Sequence, residues 1–473
     1  MEAARRADPG PFYLSLLVAV LLVPAALGSS QTIFNDGDVS WHIATGQWIL
    51  DHRAIPTTDP FSFTWAGKPW VPIEWLAEIL YASAYRLAGY GGVAALVTAA
   101  LAGLQAVVFA NASRWTRPLL PIALMDFVLI PTMLARPHLL TWPLLAWWIW
   151  LMLRAREKDR APPLPAALIM TIWANLHGGF VFGLLFAAVF GAEALVATPD
   201  KARVVRQWGL FGLACAVAVC INGNGLEGVV HPVRFTGLAM LPLIDEWKPS
   251  NPAVTPVFFG VLAVTAALII WKRPRLHWVR WLLVCGMLAL AMLQARHQAM
   301  LAIVTAMLLP EGFAKGAEVG IDQERRGKAM ALVIPAIVFL VAVRAWMPIR
   351  PIENEANPWH LIAAVPAELR SQPVLNGYSM GGPLILSGIR PYIDGRGDMY
   401  GDDLVLGFAS IVRGNRAAFD AAVRRWDIRW AIQPNESNRM IALLDRTPGW
   451  RRIYRDKVGV IYVREGEARP SAS

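Results

Sequence analysis

PIEWLAEILYASAYRLA, residues 72–88, is the stretch on which the architecture turns. It is apolar enough to pass for a membrane span. Yet Glu74, Glu78 and Arg86 interrupt it, and Trp70, Trp75 and Tyr81 are aromatics of the kind that settle at a bilayer surface. Counted as a crossing, it would put several of the later basic turns outside. Laid along the interface, it lets the turns at Arg114/Arg117, Arg154 to Arg160, Lys201 to Arg206, Lys272 to Arg280 and Lys315 to Lys328 all be cytoplasmic, as the positive-inside pattern requires. One long outer loop, from about Asn35 to Tyr90, is therefore expected to carry interfacial helices.

The remainder of the chain supports a membrane setting. Of its 473 residues 56% are hydrophobic and 16% charged, which excludes an ordinary soluble enzyme. Apolar runs of roughly 16 to 22 residues, closed by basic clusters or Pro/Gly turns, match the thickness of a hydrocarbon core. They predict about eleven transmembrane helices, near residues 11–27, 91–112, 119–135, 138–153, 163–176, 178–197, 208–222, 255–271, 281–296, 298–311 and 329–346. The net charge of +10 does not signal nucleic acid, because the basic residues of this part lie in short connections. Cys215, Cys220 and Cys285 sit in apolar segments without CxxC spacing and read as packing residues. Arg5 and Arg6 precede the first run, and Ala25 to Ser30 would suit a signal peptidase. The run continues through Ile33 and Phe34, however, so an uncleaved first span with a cytoplasmic amino terminus is expected.

From about Pro348 the composition becomes that of a soluble domain. Helices are expected near 359–370, 415–426 and 436–445, and strands at 373–376, 391–393, 429–433 and 458–463. The expected fold class is thus an all-α polytopic membrane domain (1–347) followed by a small extracytoplasmic α/β domain (348–473).

With this orientation imposed, the polar residues at span ends fall on the outer side. Asp36, Asp38, His42, Asp59 and Glu74 lie in the first loop; Arg136/His138, Asn175/His177, His231, Glu246 and Arg296/His297 lie at outer turns. Of the eight histidines only His277 is cytoplasmic. Turns are polar in any protein, and each residue alone has that plain explanation. Their convergence on one face points to a shared site. In Asn35-Asp36-Gly37-Asp38-Val39-Ser40-Trp41-His42, two carboxylates two residues apart suit a general base or a divalent cation, although Asp38 is equally placed to cap the helix that follows.

The stretch from Asp36 to Gly46, Ile55 to Ser62, Pro69-Trp70 and Glu74-Trp75-Leu76, extended by Ala135-Arg136-Pro137-His138 and Trp173-Ala174-Asn175-Leu176-His177-Gly178-Gly179, resembles bacterial membrane proteins regarded as GT-C-like glycosyltransferases. The likeness covers about residues 34–180. It implies a sugar donor on polyprenyl phosphate, and an acidic residue of the first outer loop as base or metal ligand: Asp38 first, Asp36 second. It also implies an extracytoplasmic glycan, lipid or protein acceptor at a bacterial inner membrane. Arg136 and Arg296, with His138 and His297, are best placed for the leaving phosphate. His42, Glu74, Asn175 and His177 complete the candidate site. A divalent cation is compatible with Asp36 and Asp38 but not demanded.

Other motifs carry less. Gly377-Tyr378-Ser379-Met380-Gly381 matches a nucleophile elbow, but no histidine follows it, the last being His360; it reads as a tight turn. Asp394, Asp398, Asp402 and Asp403 lack calcium-loop spacing and read as solvated turns. Asp126, mid-span, motivates the alternative of a transporter or flippase. A non-catalytic scaffold of envelope glycan assembly is the third.

Overall fold

The long helix Trp75–Ala112 breaks at Ala88 and Gly89, where Gly89 takes a φ of +57°, a left-handed conformation that only glycine adopts at no steric cost. The chain folds back so sharply there that a Cβ on Gly92 would lie 1.9 Å from the Ala84 carbonyl oxygen. The computed structural model describes residues 10–465 apart from 116, 315–326 and 328–330. Within it, the segment expected along the interface is distinct from the apolar helix beginning at Tyr90. Arg5, Arg6 and most of the turn 315–328 lie outside the described residues.

Each remaining predicted span meets an apolar helix: Phe12–Gly28, Leu119–Thr132, Pro137–Glu157, Leu164–Leu176, Phe180–Ala197, Lys201–Cys220, Pro256–Lys272, Trp278–Leu293, Gln298–Phe313 and Val333–Trp346. Trp75–Ala112, Phe180–Ala197 and Lys201–Cys220 are long and apolar enough to cross a membrane. Across the apolar helices as a set, outward surfaces carry Leu, Val, Ile and Phe, as helices facing lipid do, while Trp148, Trp173, Phe109 and Phe186 fill the interior.

At one end of the bundle, four helices are joined by a buried ionic network. Arg280 grips Glu193 through Nε (2.9 Å) and Nη2 (3.0 Å) and Glu311 through Nη1 (2.7 Å), and Arg156 Nε reaches Glu193 at 3.3 Å. Removing one partner leaves a desolvated charge without compensation. Glu193→Ala is expected to destabilise the protein by about 3–5 kcal/mol, read as a fall in Tm in detergent, with Glu193→Gln costing less.

The carboxy-terminal region forms a four-stranded sheet in the order β1-β2-β4-β3. Strand β1 (Val374–Asn376) pairs parallel with β2 (Trp430–Pro434), which is antiparallel to β4 (Gly459–Arg464), itself antiparallel to β3 (Trp450–Arg455). Helices Arg416–Trp426 and Asn438–Asp445 lie where the sequence placed them. Three expectations fail. Residues 391–393 form no strand, because the Asn376 side chain takes their backbone groups, accepting from Tyr392 N (2.8 Å) and donating to the Ile393 carbonyl (2.7 Å). The helix expected over 359–370 is split into Trp359–Ala363 and a 3-10 turn Ala367–Leu369, with Pro366 between them. The four aspartates are not solvated turns: Asp394 is fully buried, while Asp398, Asp402 and Asp403 sit on the helix Gly397–Val412.

Candidate active site

The site begins with two backbone approaches. The Ala135 amide donates to the Ile33 carbonyl (2.8 Å), which sets Arg136 beside the start of the first loop. Asp36 Oδ1 accepts from the Asp38 amide (2.8 Å), the first amide of the helix Asp38–His52, whose N-cap position is taken by Gly37. Asp38 is the first residue of the helix rather than its cap, and its carboxylate is left for other work. That work is shared with Arg136. Its Nε meets Asp36 Oδ2 at 3.2 Å, its Nη2 contacts Asp38 Oδ2, and its Nη1 reaches Glu246 Oε2 at 3.1 Å. One guanidinium thus holds three carboxylates from two segments far apart in the chain. Burial raises the Asp36 carboxyl despite Arg136; burial would lower Arg136, but Asp36 and Glu246 carry it upward.

Glu246 lies on the short turn Asp245–Trp247. The Ala295 amide donates to the Lys248 carbonyl (3.0 Å), bringing Arg296 alongside. The Arg296 guanidinium rests over the Trp247 ring, 4.2 Å from its centroid, and forms no ion pair among the described residues. Burial, opposed by Glu246, lowers its pKa. His297 turns aside, bonded to Gln294 (3.0 Å) and edge-on to Phe182; burial and Arg296 push it down to about 4.

Behind the carboxylates runs a chain of polar groups. The His138 and His177 rings are 6.2 Å apart; His177 Nε2 lies 3.5 Å from Glu74 Oε1; Glu74 Oε2 lies 3.8 Å from His42 Nε2; and His42 Nδ1 lies 3.6 Å from Glu78 Oε1. His42 follows Asp38 by one helical turn, so the two share a face. Burial holds His42 and His177 well below the usual imidazole range, and it raises Glu78 well above the usual carboxylate range.

Glu74 is pushed up to about 8, first by burial and then by Asp398, against the pull of Arg296. A carboxyl raised in this way holds a proton in the folded state that the unfolded chain has released, so its contribution to stability falls as pH rises from about 4.5 towards 8. Glu74→Gln is expected to flatten the decline of Tm between pH 5 and pH 8.5. The side chain keeps 20% of its surface exposed, so solvent screening moderates the effect. Parallel Tm profiles for the two proteins would exclude this assignment.

Asn175 is placed here but fully occupied. Its Oδ1 accepts from Trp75 Nε1 (2.7 Å) and the Gly223 amide (3.1 Å), and its Nδ2 donates to the Thr171 and Ile221 carbonyls. It ties the interfacial helix to the bundle. Asp126 lies elsewhere, its two oxygens held by Gln105 Nε2 at 3.1 and 3.0 Å. Among the described residues it forms no ion pair.

The carboxy-terminal region supplies the other wall. A Cβ on Gly37 would lie 1.9 Å from the Ser379 carbonyl, one on Gly382 2.0 Å from the Gly37 carbonyl, and one on Gly395 1.7 Å from Asp38 Oδ1. Such contacts admit only glycine. The pieces are bolted together by buried Arg396, which bonds Asp59 (2.7 Å) and Asp394 (2.7 Å) and lies over Trp70. Tyr378 is half-buried here, its hydroxyl pKa raised by desolvation and Asp394, and Asp398 pairs with His231 at 3.0 Å. Sequence reasoning missed Glu78, Tyr378 and Asp398 as site residues. The only hint was the glycine density of 377–382, which it took for a local turn.

Among the described residues no three His, Cys, Asp or Glu are grouped to hold a metal ion. Between Asp36 and Asp38 the Arg136 guanidinium stands where a cation would. As arranged, the pair does not fit a metal.

With this geometry in hand, comparison with solved structures is decisive for the fold. The apo oligosaccharyltransferase of Archaeoglobus fulgidus is similar with a TM-score of 0.56 at 10% identity, over 99% of this chain and 76% of that one. ArnT of Cupriavidus metallidurans bound to undecaprenyl phosphate is similar with a TM-score of 0.51 at 13% identity, over 97% and 98%. The chain has a GT-C fold. The archaeal AglB in complex with an inhibitory peptide and a dolichol-phosphate is also similar, at a TM-score of 0.52 and 10% identity over 98% and 75%. No protein family and no curated protein matches the chain. The GT-C likeness spans the bundle and the carboxy-terminal region together, well beyond the residues 34–180 that carried the resemblance in sequence.

Proposed function

We propose that this protein is a membrane glycosyltransferase that moves one sugar, with inversion, from a polyprenyl-phosphate donor to an acceptor hydroxyl on an extracytoplasmic glycan, lipid or protein. The observation that carries this reading is the Arg136 guanidinium fixed between Asp36, Asp38 and Glu246, beside an unpaired Arg296, in a GT-C fold. Asp38 takes the proton of the acceptor hydroxyl as its oxygen bonds to the anomeric carbon. The bond from that carbon to the phosphate oxygen breaks, and the departing polyprenyl phosphate is met by Arg296. Arg136, saturated by carboxylates, positions Asp38 and Asp36 rather than binding phosphate itself. The polar chain from His138 to Glu78 lies behind the base.

Support for the donor class comes from two neighbours of the same fold, one in complex with dolichol-phosphate and one bound to undecaprenyl phosphate. The setting proposed is a bacterial inner membrane, with the amino terminus cytoplasmic and the carboxy-terminal domain outside. Mass spectrometry of envelope glycolipids from a deletion strain and its parent tests the reading: a glycan lacking one sugar is expected. An unchanged glycan profile, with growth or export altered instead, would favour transport.

A further inference from the structure

Beyond the apolar helix Lys201–Cys220 the chain turns, with Gly225 at a φ of +56°, into a second helix, Gly225–Phe235, which begins the segment that carries Glu246. This helix has two unlike sides. Leu226, Val230 and Val233, spaced i, i+4 and i+7, share one of them and are 72%, 40% and 61% exposed. Gly228, Pro232 and Phe235 lie on the other, packed on the protein. A Cβ on Gly228 would lie 2.5 Å from Asn222 Oδ1, one on Gly178 would lie 3.1 Å from the Pro232 ring, and the Phe235 ring stands edge-on to Trp247 at 5.2 Å. Glu227 and Arg234 form an ion pair along the flank.

What covers the apolar side follows from its neighbours in the chain. On Lys201–Cys220 the exposed Leu210, Leu213 and Val217 form a lipid-facing stripe, and Ile221 extends it past the end of the helix. Leu226 follows five residues later, so the exposed apolar side of Gly225–Phe235 continues a surface that already lies in hydrocarbon. A short helix with one apolar side and a charged flank settles in the plane of a bilayer surface, its apolar side sunk about 5–10 Å into the headgroup boundary.

The packed side reaches the candidate site. Trp247, against Phe235, carries the Arg296 guanidinium over its ring. His231 Nε2 pairs with Asp398 at 3.0 Å, and just beyond the helix the amides of Ala239 and Met240 donate to Asp402 (3.0 and 2.8 Å). We propose that Gly225–Phe235 is a membrane-seated helix, lying in the bilayer surface on the side of the site, which holds Trp247 and Arg296 at headgroup depth and moors the carboxy-terminal region to the membrane. Only the use of Arg296 for a departing lipid phosphate rests on the sugar-transfer reading; the seat itself does not.

Nitroxide labels on single cysteines test the seat. The full chain carries Cys220→Ala and Cys285→Ala, both at exposed positions, keeps the buried Cys215, and is held in phosphatidylcholine nanodiscs. Collision with oxygen relative to a water-soluble nickel chelate is expected to be high at Leu226→Cys, Val230→Cys and Val233→Cys. It should match Leu213→Cys on the lipid-facing stripe and exceed Arg424→Cys, exposed on the carboxy-terminal region, at least about fivefold. Lys248→Cys, exposed beside Trp247, should fall between these two controls. Nickel access at the three helix positions equal to that at Arg424→Cys would put the helix in water and overturn the proposal. Protection from both probes would overturn it in favour of a protein partner, and a Lys248→Cys label that matches Arg424→Cys would overturn the headgroup depth of Arg296. Lipid-exposed labels in a protein whose deletion leaves envelope glycans unchanged would sink sugar transfer and leave the seat standing; water-exposed labels with a glycan lacking one sugar would do the reverse.

Discussion

Asp38→Asn is expected to lower sugar transfer at least about 100-fold while leaving the protein folded and inserted. The amide matches the carboxylate in size and still accepts from Arg136, but it cannot take a proton from the acceptor. Arg136 keeps Asp36 and Glu246 as counter-charges, so no buried cation is stranded. Asp36→Asn is expected to cost less, about tenfold, because the Asn oxygen also accepts from the Asp38 amide and the base remains. Asp126→Asn should leave transfer unchanged, since Asp126 is tied to Gln105 away from the site. Envelope glycolipid profiles of a deletion strain complemented with each variant, normalised to membrane-inserted protein, provide the measurement. An active Asp38→Asn protein, or one as impaired by Asp126→Asn, would remove Asp38 from its role.

Gly395→Ala is expected to reduce transfer almost as severely, although Gly395 has no chemistry of its own. Its Cβ would fall 1.7 Å from Asp38 Oδ1 and 2.9 Å from Trp41 Nε1, so the carboxylate or the whole carboxy-terminal region must shift. Overpacking of this kind costs about 1–3 kcal/mol, and a displacement near 1 Å at a reacting group is worth about 100-fold in rate. Gly407→Ala is the control: its Cβ would meet open space on the helix Gly397–Val412, and it should be neutral or slightly stabilising. Equal activity in the two variants would mean that the carboxy-terminal wall does not constrain Asp38.

The candidate residues were unevenly legible. Asp36, Asp38 and Arg136 stood out because charge beside apolar spans is rare, and the structure joins them directly. His42, Glu74 and His177 were readable as polar residues on one side, but their order in a chain from His138 to Glu78 was not. Asn175 was read as a substrate ligand, whereas its four hydrogen bonds are spent within the protein. Spacing tells which residues share a surface, not which have hydrogen-bonding capacity left over.

Hydropathy and basic turns by themselves determined the run of apolar helices, the separation of residues 72–88 from the helix that follows, and the onset of a mixed α/β region near Pro348. These are local properties, written in composition over about 20 residues. Only the tertiary structure brings the carboxy-terminal region against Asp38, the Asp36 carboxylate onto the Asp38 amide, and the Arg136 guanidinium among three carboxylates. The last of these depends on contacts across about 100 positions, and the first on contacts between residues more than 300 positions apart, such as Gly395 against Asp38. A missing side chain there is the condition for contact, and nothing in the neighbouring sequence marks it.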